Sequence, residues 1–183
     1  RFGEDFGLGS LMASGYNAIF MGMGAWKDYA LGIEGEDLDG CYKGIDWLQR
    51  FSSGQKMELG KTAAVVGGGN SAIDCVRTLL RLGLEKVYIV YRRTRNEMPA
   101  NEVEIVASEE EGVEFVFLAA PTRVIGDDDG KAKGLEYLKM ELGEPDASGR
   151  RRPVPVEGSE TILDVDMIIS AISQAPDPSF KDK

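Results

Sequence analysis

Residues 62–91 constrain this chain more than any other stretch. Thr62-Ala63-Ala64-Val65-Val66 is a short, unbroken apolar run, the pattern of a strand buried on both faces. Gly67-Gly68-Gly69 ends it. Asn70 stands where a helix cap is expected, and Ile73, Val76, Leu79 and Leu80 follow as an apolar stripe up to Gly83. Lys86-Val87-Tyr88-Ile89-Val90-Tyr91 then reads as a second buried strand. Strand, tight turn, helix and strand make a βαβ unit. Such a unit crosses over right-handed and places its two strands parallel in one sheet.

The flanks extend this pattern. Ile45, Leu48 and Phe51 predict a short amphipathic helix over 43–52. A second helix is expected near 101–111, ended by Gly112, and a third strand from Val113 to Leu118, stopped by Pro121. Arg123-Val124-Ile125 and Leu135 to Leu142 flank Gly126-Asp127-Asp128-Asp129-Gly130, which predicts an antiparallel hairpin. Asp166 to Ala171 reads as another buried strand, and Tyr16 to Met21 as a further short one, while residues 1–15 read as a loose arm. The expected class is α/β: a Rossmann-like parallel sheet with an added antiparallel β-hairpin or meander.

Several function classes fall away on composition. With 21 Lys and Arg against 31 Asp and Glu, the net charge is −10, which disfavours nonspecific nucleic-acid or anionic-membrane binding. There is no histidine, which removes histidine general bases, triads and metal ligands. Cys41 and Cys75 form no C-x-x-C, so neither a dithiol redox pair nor a cysteine metal site is expected. Two lone thiols suit a reducing cytoplasm, and no apolar run approaches the roughly 20 residues of a membrane span. The chain opens on Arg1 and reads as a piece of a longer protein.

The chemistry concentrates at the glycine turn. Gly67-Gly68-Gly69-Asn70-Ser71-Ala72 matches G-x-G-x-x-A between a predicted strand and a predicted helix. Gly67 permits the tight turn. Gly69, lacking Cβ, lets backbone amides approach a pyrophosphate. Ala72 keeps helix and sheet close, and Ser71 offers a hydroxyl. The helix N-terminus supplies free amides and partial positive charge for an anion. A glycine turn that only packs a βαβ unit is the competing reading. The end of the second strand decides between cofactors. A carboxylate there would accept from a ribose 2′-hydroxyl, but the residues are Tyr91-Arg92-Arg93-Thr94-Arg95. Guanidinium groups pair with a 2′-phosphate, so the expected ligand is NADP(H). A solvated basic patch is the alternative for these arginines.

Other groups carry less. Arg150-Arg151-Arg152 reads as a solvated loop, Asp74 as a complement to the helix dipole, and Cys75 as a small buried residue. No Y-x-x-x-K and no acid/base pair is placed by spacing, so no catalytic residue is assigned.

The motifs together resemble a known family. Gly15-Tyr16-Asn17-Ala18-Ile19-Phe20, Gly24-Ala25-Trp26, Val65 to Asp74, Tyr91-Arg92-Arg93-Thr94-Arg95-Asn96-Glu97-Met98-Pro99-Ala100, Glu110 to Phe115, Gly143-Glu144-Pro145-Asp146, Gly149-Arg150-Arg151 and Ile169-Ser170-Ala171-Ile172 resemble the NADPH-binding part of the glutamate synthase small (beta) subunit and its relatives, including the flavoprotein half of dihydropyrimidine dehydrogenase. In that family the NADPH domain is inserted in an FAD domain, and electrons pass from NADPH through FAD to iron–sulfur clusters. The resemblance implies that Gly67 to Ala72 hold the pyrophosphate and that Arg92, Arg93 and Arg95 hold the 2′-phosphate. It places Gly24, Ala171 and Ile172 at crossings near flavin and nicotinamide. It implies an arm and crossing segment over 1–60, an NADPH-binding domain over 61–175 and a linker over 176–183. FAD would be carried by the parent protein only, with an FAD domain and an iron–sulfur domain or subunit as partners. Ser173 replaces the family's usual glycine. A free-standing NADP(H)-sensing module is the rival function. A thioredoxin-reductase-like disulfide enzyme is disfavoured by the absent C-x-x-C.

Overall fold

The computed structural model describes residues 2–176. In chain order its elements are Leu8–Ala13 (α1), Lys27–Asp28 (β1), Cys41–Lys43 (β2), Gly44–Ser52 (α2), Thr62–Val66 (β3), Asn70–Arg81 (α3), Lys86–Tyr91 (β4), Glu102–Glu110 (α4), Glu114–Phe117 (β5), Ala119–Gly126 (β6), Ala132–Pro145 (β7), Arg151–Pro155 (β8), Thr161–Leu163 (β9), Met167–Ser170 (β10) and Gln174–Ala175 (β11). They fall into two compact units, Asp28–Ser173 and a smaller one made of the flanking segments.

The larger unit is built on a five-stranded parallel sheet in the order β2-β10-β3-β4-β5. The predicted βαβ unit is its centre, with Val65 opposite Ile89 and Val66 opposite Val90. Asp166 pins β3 beside β10. Its carboxylate accepts from the amides of Lys61 and Thr62 at 2.9 Å each. Alternation along the buried strands sorts side chains to two cores. Ala63, Val65, Val87, Ile89, Met167 and Ile169 meet Ile73, Val76 and Leu79 of α3 and Trp47 of α2. Ala64, Val66, Val90 and Ile168 meet Val124 and Leu135 of the second, antiparallel sheet. That sheet is the expected hairpin grown into a meander, in which β7 pairs with β6, β8 and β9. The unit therefore has three layers: helices, parallel sheet, antiparallel sheet. The expected fold class holds.

One residue joins the two sheets. Leu118 has φ 54°, a left-handed conformation that costs a non-glycine residue about 1–2 kcal/mol. Two hydrogen bonds hold it there: its amide donates to the Arg93 carbonyl at 3.0 Å, and its carbonyl accepts from the Met140 amide at 2.7 Å.

Some local expectations are corrected. Tyr16 to Met21 is not a strand; Phe20 is 96% exposed, and the apolar run has no sheet edge to join among the described residues. Within the supposed arm, residues 8–13 are helical. Pro121 does not end a strand. It lies inside β6 next to a register shift, where its missing N–H breaks no regular ladder. The larger unit also takes in residues 28–60, because β2 pairs with β10 and the Asp28 carboxylate accepts from the α2 amides of Ile45 (3.2 Å) and Asp46 (3.0 Å). All but the first residue of the expected linker, 176–183, lies outside the described residues.

Candidate functional site

The parallel strands β10, β3 and β4 end level with one another: Val66 faces Ser170 on one side and Val90 on the other. Beyond that line stand Ala171, Gly67 and Tyr91. The chain runs from β3 outward through β4 and β5, whereas β10 and β2 lie on the other side, so the order reverses beside β3. In open α/β sheets the crevice at such a reversal is where ligands bind.

The three glycines of the turn are not equivalent. Gly67 has φ 149°, and a Cβ there would press into the Ala171 carbonyl. At Gly68 a Cβ would lie 2.7 Å from the Tyr91 ring. Both are glycine because the fold requires it. Gly69 has φ −94° and ψ 176°, which any residue adopts. A Cβ there would meet nothing nearer than Pro99 Cγ at 4.0 Å. The packing of the described residues does not demand glycine at 69; its absence of side chain leaves space over the turn among them.

Helix α3 starts at this turn without a side-chain cap. The amides of Ala72 and Ile73 donate to the Gly69 carbonyl, while those of Gly68, Gly69 and Asn70 find no acceptor among the described residues. Asn70 is the first helical residue rather than the cap. Its Oδ1 accepts from the Asn101 amide at 2.9 Å, and the Ala100 amide donates to the Gly68 carbonyl at 3.2 Å. These bonds staple the 92–101 loop to the turn. Tyr91 completes the staple by donating from its hydroxyl to the Glu97 carbonyl at 2.7 Å. The Thr94 hydroxyl donates to Glu97 at 2.6 Å and holds that carboxyl below its usual range. Ala72 is fully buried, as its place between helix and sheet requires.

The arginines divide by role. Arg92 is exposed and makes no hydrogen bond or ion pair among the described residues. Arg93 is 5% exposed; its Nε donates to the Arg151 carbonyl at 2.6 Å and its Nη2 to Asp146 at 2.8 Å. Arg95 points to α4, pairing with Glu102 at 2.8 Å and with Glu109. Nor is Arg150-Arg151-Arg152 merely a solvated run, because Arg151 donates to the carbonyls of Leu142 and Gly143. Ala171 lies against Gly67, and its amide donates to the Val66 carbonyl at 2.8 Å. Ile172 beside it is exposed. Gly24 belongs to the smaller unit, where φ is 71° and Trp26 Nε1 donates to the Met23 carbonyl. Sequence reading placed Asp146 in a segment that carries the family resemblance but gave it no role. Its Pro145-to-Gly149 setting signals a turn, but no spacing links it to Arg93.

Neither cysteine is primed for chemistry. Both are free thiols. Burial, then Glu36 and Asp37, pushes Cys41 up to about 11, and burial raises Cys75 further. Among the described residues no cluster could hold a metal ion, and no helix is long and apolar enough to cross a membrane.

A parallel sheet with a glycine turn at its reversal point, backed by an antiparallel sheet, is the nucleotide-binding architecture of FAD- and NAD(P)-linked oxidoreductases. Residues 8–183 match the family described as pyridine nucleotide-disulphide oxidoreductase, and the chain belongs to it. It is 48% identical over 183 residues to the NADPH-Fe(3+) oxidoreductase subunit beta of Geobacter sulfurreducens, covering 98% of this chain and 27% of that protein. It is 39% identical over 185 residues to the glutamate synthase [NADPH] small chain of Escherichia coli K12, covering 95% of this chain and 39% of that one. The resemblance read from the motifs is thus borne out. Among solved structures, Mycobacterium tuberculosis FprA in complex with NADPH superposes with a TM-score of 0.81 at 20% identity, over 97% of this chain and 55% of that one, a likeness of fold. The chain spans well under half the length of these curated relatives.

Proposed function

We propose that this chain is the NADPH-binding domain of an oxidoreductase that passes electrons through FAD to iron–sulfur centres carried elsewhere in the complete protein. One observation carries the reading: among the described residues the amides of Gly68, Gly69 and Asn70 have no acceptor, and they surround a glycine whose missing side chain no described neighbour requires. That is a cradle suited to a pyrophosphate. Arg92, which follows Tyr91 at the end of β4 and has no partner among the described residues, is a cation suited to a 2′-phosphate. The names of the two curated relatives, each containing NADPH, support the same cofactor. FAD is assigned to the rest of the protein because, among the described residues, Gly22-Met23-Gly24 does not open a helix and Gly67 to Ala72 is the one G-x-G-x-x-A turn between a strand and a helix.

Bound NADPH supplies the hydride. The residues of this chain bind and orient it. The amides of Gly68, Gly69 and Asn70 would hold the pyrophosphate, Arg92 and Arg93 would hold the 2′-phosphate of the adenosine ribose, and Ala171 would bound the turn where it lies against Gly67. Holding one reactant in place lowers the barrier without any proton transfer from the protein, which agrees with the lack of an acid/base pair. The test is a parallel titration with NADPH and NADH. Arg92→Ala is expected to weaken NADPH binding about tenfold, the scale of one exposed charge-assisted contact, and NADH binding less than about twofold. Equal losses for both cofactors overturn the phosphate assignment.

A further inference from the structure

The least expected feature of the site is that Arg93, placed by sequence beside the cofactor, is held by a hairpin more than fifty residues away. The guanidinium has three nitrogens. Nε donates to the Arg151 carbonyl at 2.6 Å and Nη2 to Asp146 Oδ2 at 2.8 Å. Nη1 makes no hydrogen bond among the described residues. It is not sealed in either, because the single fully buried side-chain nitrogen or oxygen without a partner among the described residues is Trp47 Nε1. A side chain that is 5% exposed therefore offers one nitrogen to the surface while two others are clamped. The backbone is clamped too, since the Arg93 carbonyl accepts from Leu118 at 3.0 Å.

Asp146 is built for that task. It sits at the tip between β7 and β8. Its Oδ1 accepts from the amides of Ser148 (2.8 Å) and Arg150 (3.3 Å) and from the Ser148 hydroxyl, which leaves Oδ2 for Arg93. The Ser148 hydroxyl above all, with help from Arg93, keeps the carboxyl below its ordinary range, so it is charged at neutral pH. Arg151 closes the hairpin stem onto Leu142 and Gly143, so the tip cannot swing without breaking several bonds.

We propose that the β7–β8 hairpin is part of the cofactor site, and that Asp146 is a positioning residue whose hold on Arg93 sets the preference for NADPH over NADH. This rests on the phosphate reading given above. The sign of the effect separates positioning from simple charge. Asp146 is an anion near the place assigned to a phosphate, so by charge alone its removal would tighten NADPH binding. If it acts by orienting Arg93, removal weakens NADPH binding, because an unclamped arginine must be ordered at the moment of binding.

The experiment measures NADPH and NADH affinities of the full chain for the parent, D146N, S148A, R93M and R93M/D146N. Asparagine retains an oxygen for the tip amides, and retained NADH binding reports an intact fold. D146N is expected to weaken NADPH binding about fivefold and leave NADH binding within about twofold, the scale of a partly lost charge-assisted contact. S148A, which loosens Asp146 Oδ1 but leaves Oδ2 on Arg93, lowers the ratio less than D146N does. In the R93M background D146N adds nothing further, as expected for residues acting through one another. The inference is overturned if D146N leaves the NADPH/NADH ratio unchanged or raises it, or if S148A lowers the ratio as much as D146N. If instead R92A and R93M both leave the ratio unchanged, the phosphate reading itself fails.

Discussion

Two of the helices packed on the sheet, α2 and α3, begin in opposite ways. Helix α2 is closed at its N-terminus by the chain itself, with the Asp28 carboxylate accepting from Ile45 and Asp46. Helix α3 has no such plug among the described residues, where the amides of Gly68, Gly69 and Asn70 have no acceptor. Every helix has unsatisfied amides at its start and partial positive charge there. At α2 they are an internal structural contact; at the turn before α3 those of Gly68, Gly69 and Asn70 have no acceptor among the described residues. The two starts differ in both charge and space: at α2 the Asp28 carboxylate occupies the helix end, whereas at α3 no described side chain caps it and Gly69 adds none over the turn.

The contrast can be broken at several points. The largest effect is expected at Gly67→Ala. The φ of 149° alone costs an L-residue on the order of 1–3 kcal/mol, and the clash with Ala171 adds to it. Denaturant unfolding is expected to show a loss at least that large; a stable variant would refute the packing role. Next is Gly69→Val, where unfolding free energy should change by less than about 1 kcal/mol while both NADPH and NADH lose at least about tenfold in affinity. Unaltered binding by this variant would remove the cradle. Asp28→Ala reverses the pattern: stability should fall by about 0.5–2 kcal/mol, as for a lost helix cap, with cofactor affinity untouched. Calorimetric melting and a titration check both halves.

The smallest effect concerns Cys75, which joins the two helices by donating from its thiol to the Gly44 carbonyl at 3.8 Å. Burial holds that thiol far above its ordinary pKa, and Cys41 is pushed up to about 11. Thiolate, not thiol, is the nucleophile, so both should react slowly with iodoacetamide at pH 8 and faster only as the pH climbs toward the raised values. Asp28→Ala, by loosening α2, should speed Cys75 labelling; Gly69→Val should not. Rapid labelling of the parent at pH 8 would show that the α2–α3 packing is looser than described.

Much of this could be read from residue order. The βαβ unit was legible because strand, turn and helix each depend on near neighbours: an apolar run, three glycines, a stripe at helical spacing. The hairpin at 126–130 was legible for the same reason. Tyr16 to Met21 misled because apolar content alone does not provide a strand with a partner. Strands β2, β8 and β9 were missed because short strands owe their existence to the neighbour they pair with.

Residue order by itself determined an α/β class, the glycine turn and the arginine cluster after β4, and the resemblance of its motifs pointed to the family. Tertiary structure alone decided which of those residues are committed and which are available: Gly67 and Gly68 to packing but Gly69 to open space, Arg95 to α4, Arg93 to Asp146, Arg92 to solvent. The physical reason is that local spacing sets backbone geometry and face. Whether a charge or an amide already has a partner depends on segments brought together only when the sheets close, and nothing in the intervening residues encodes that pairing.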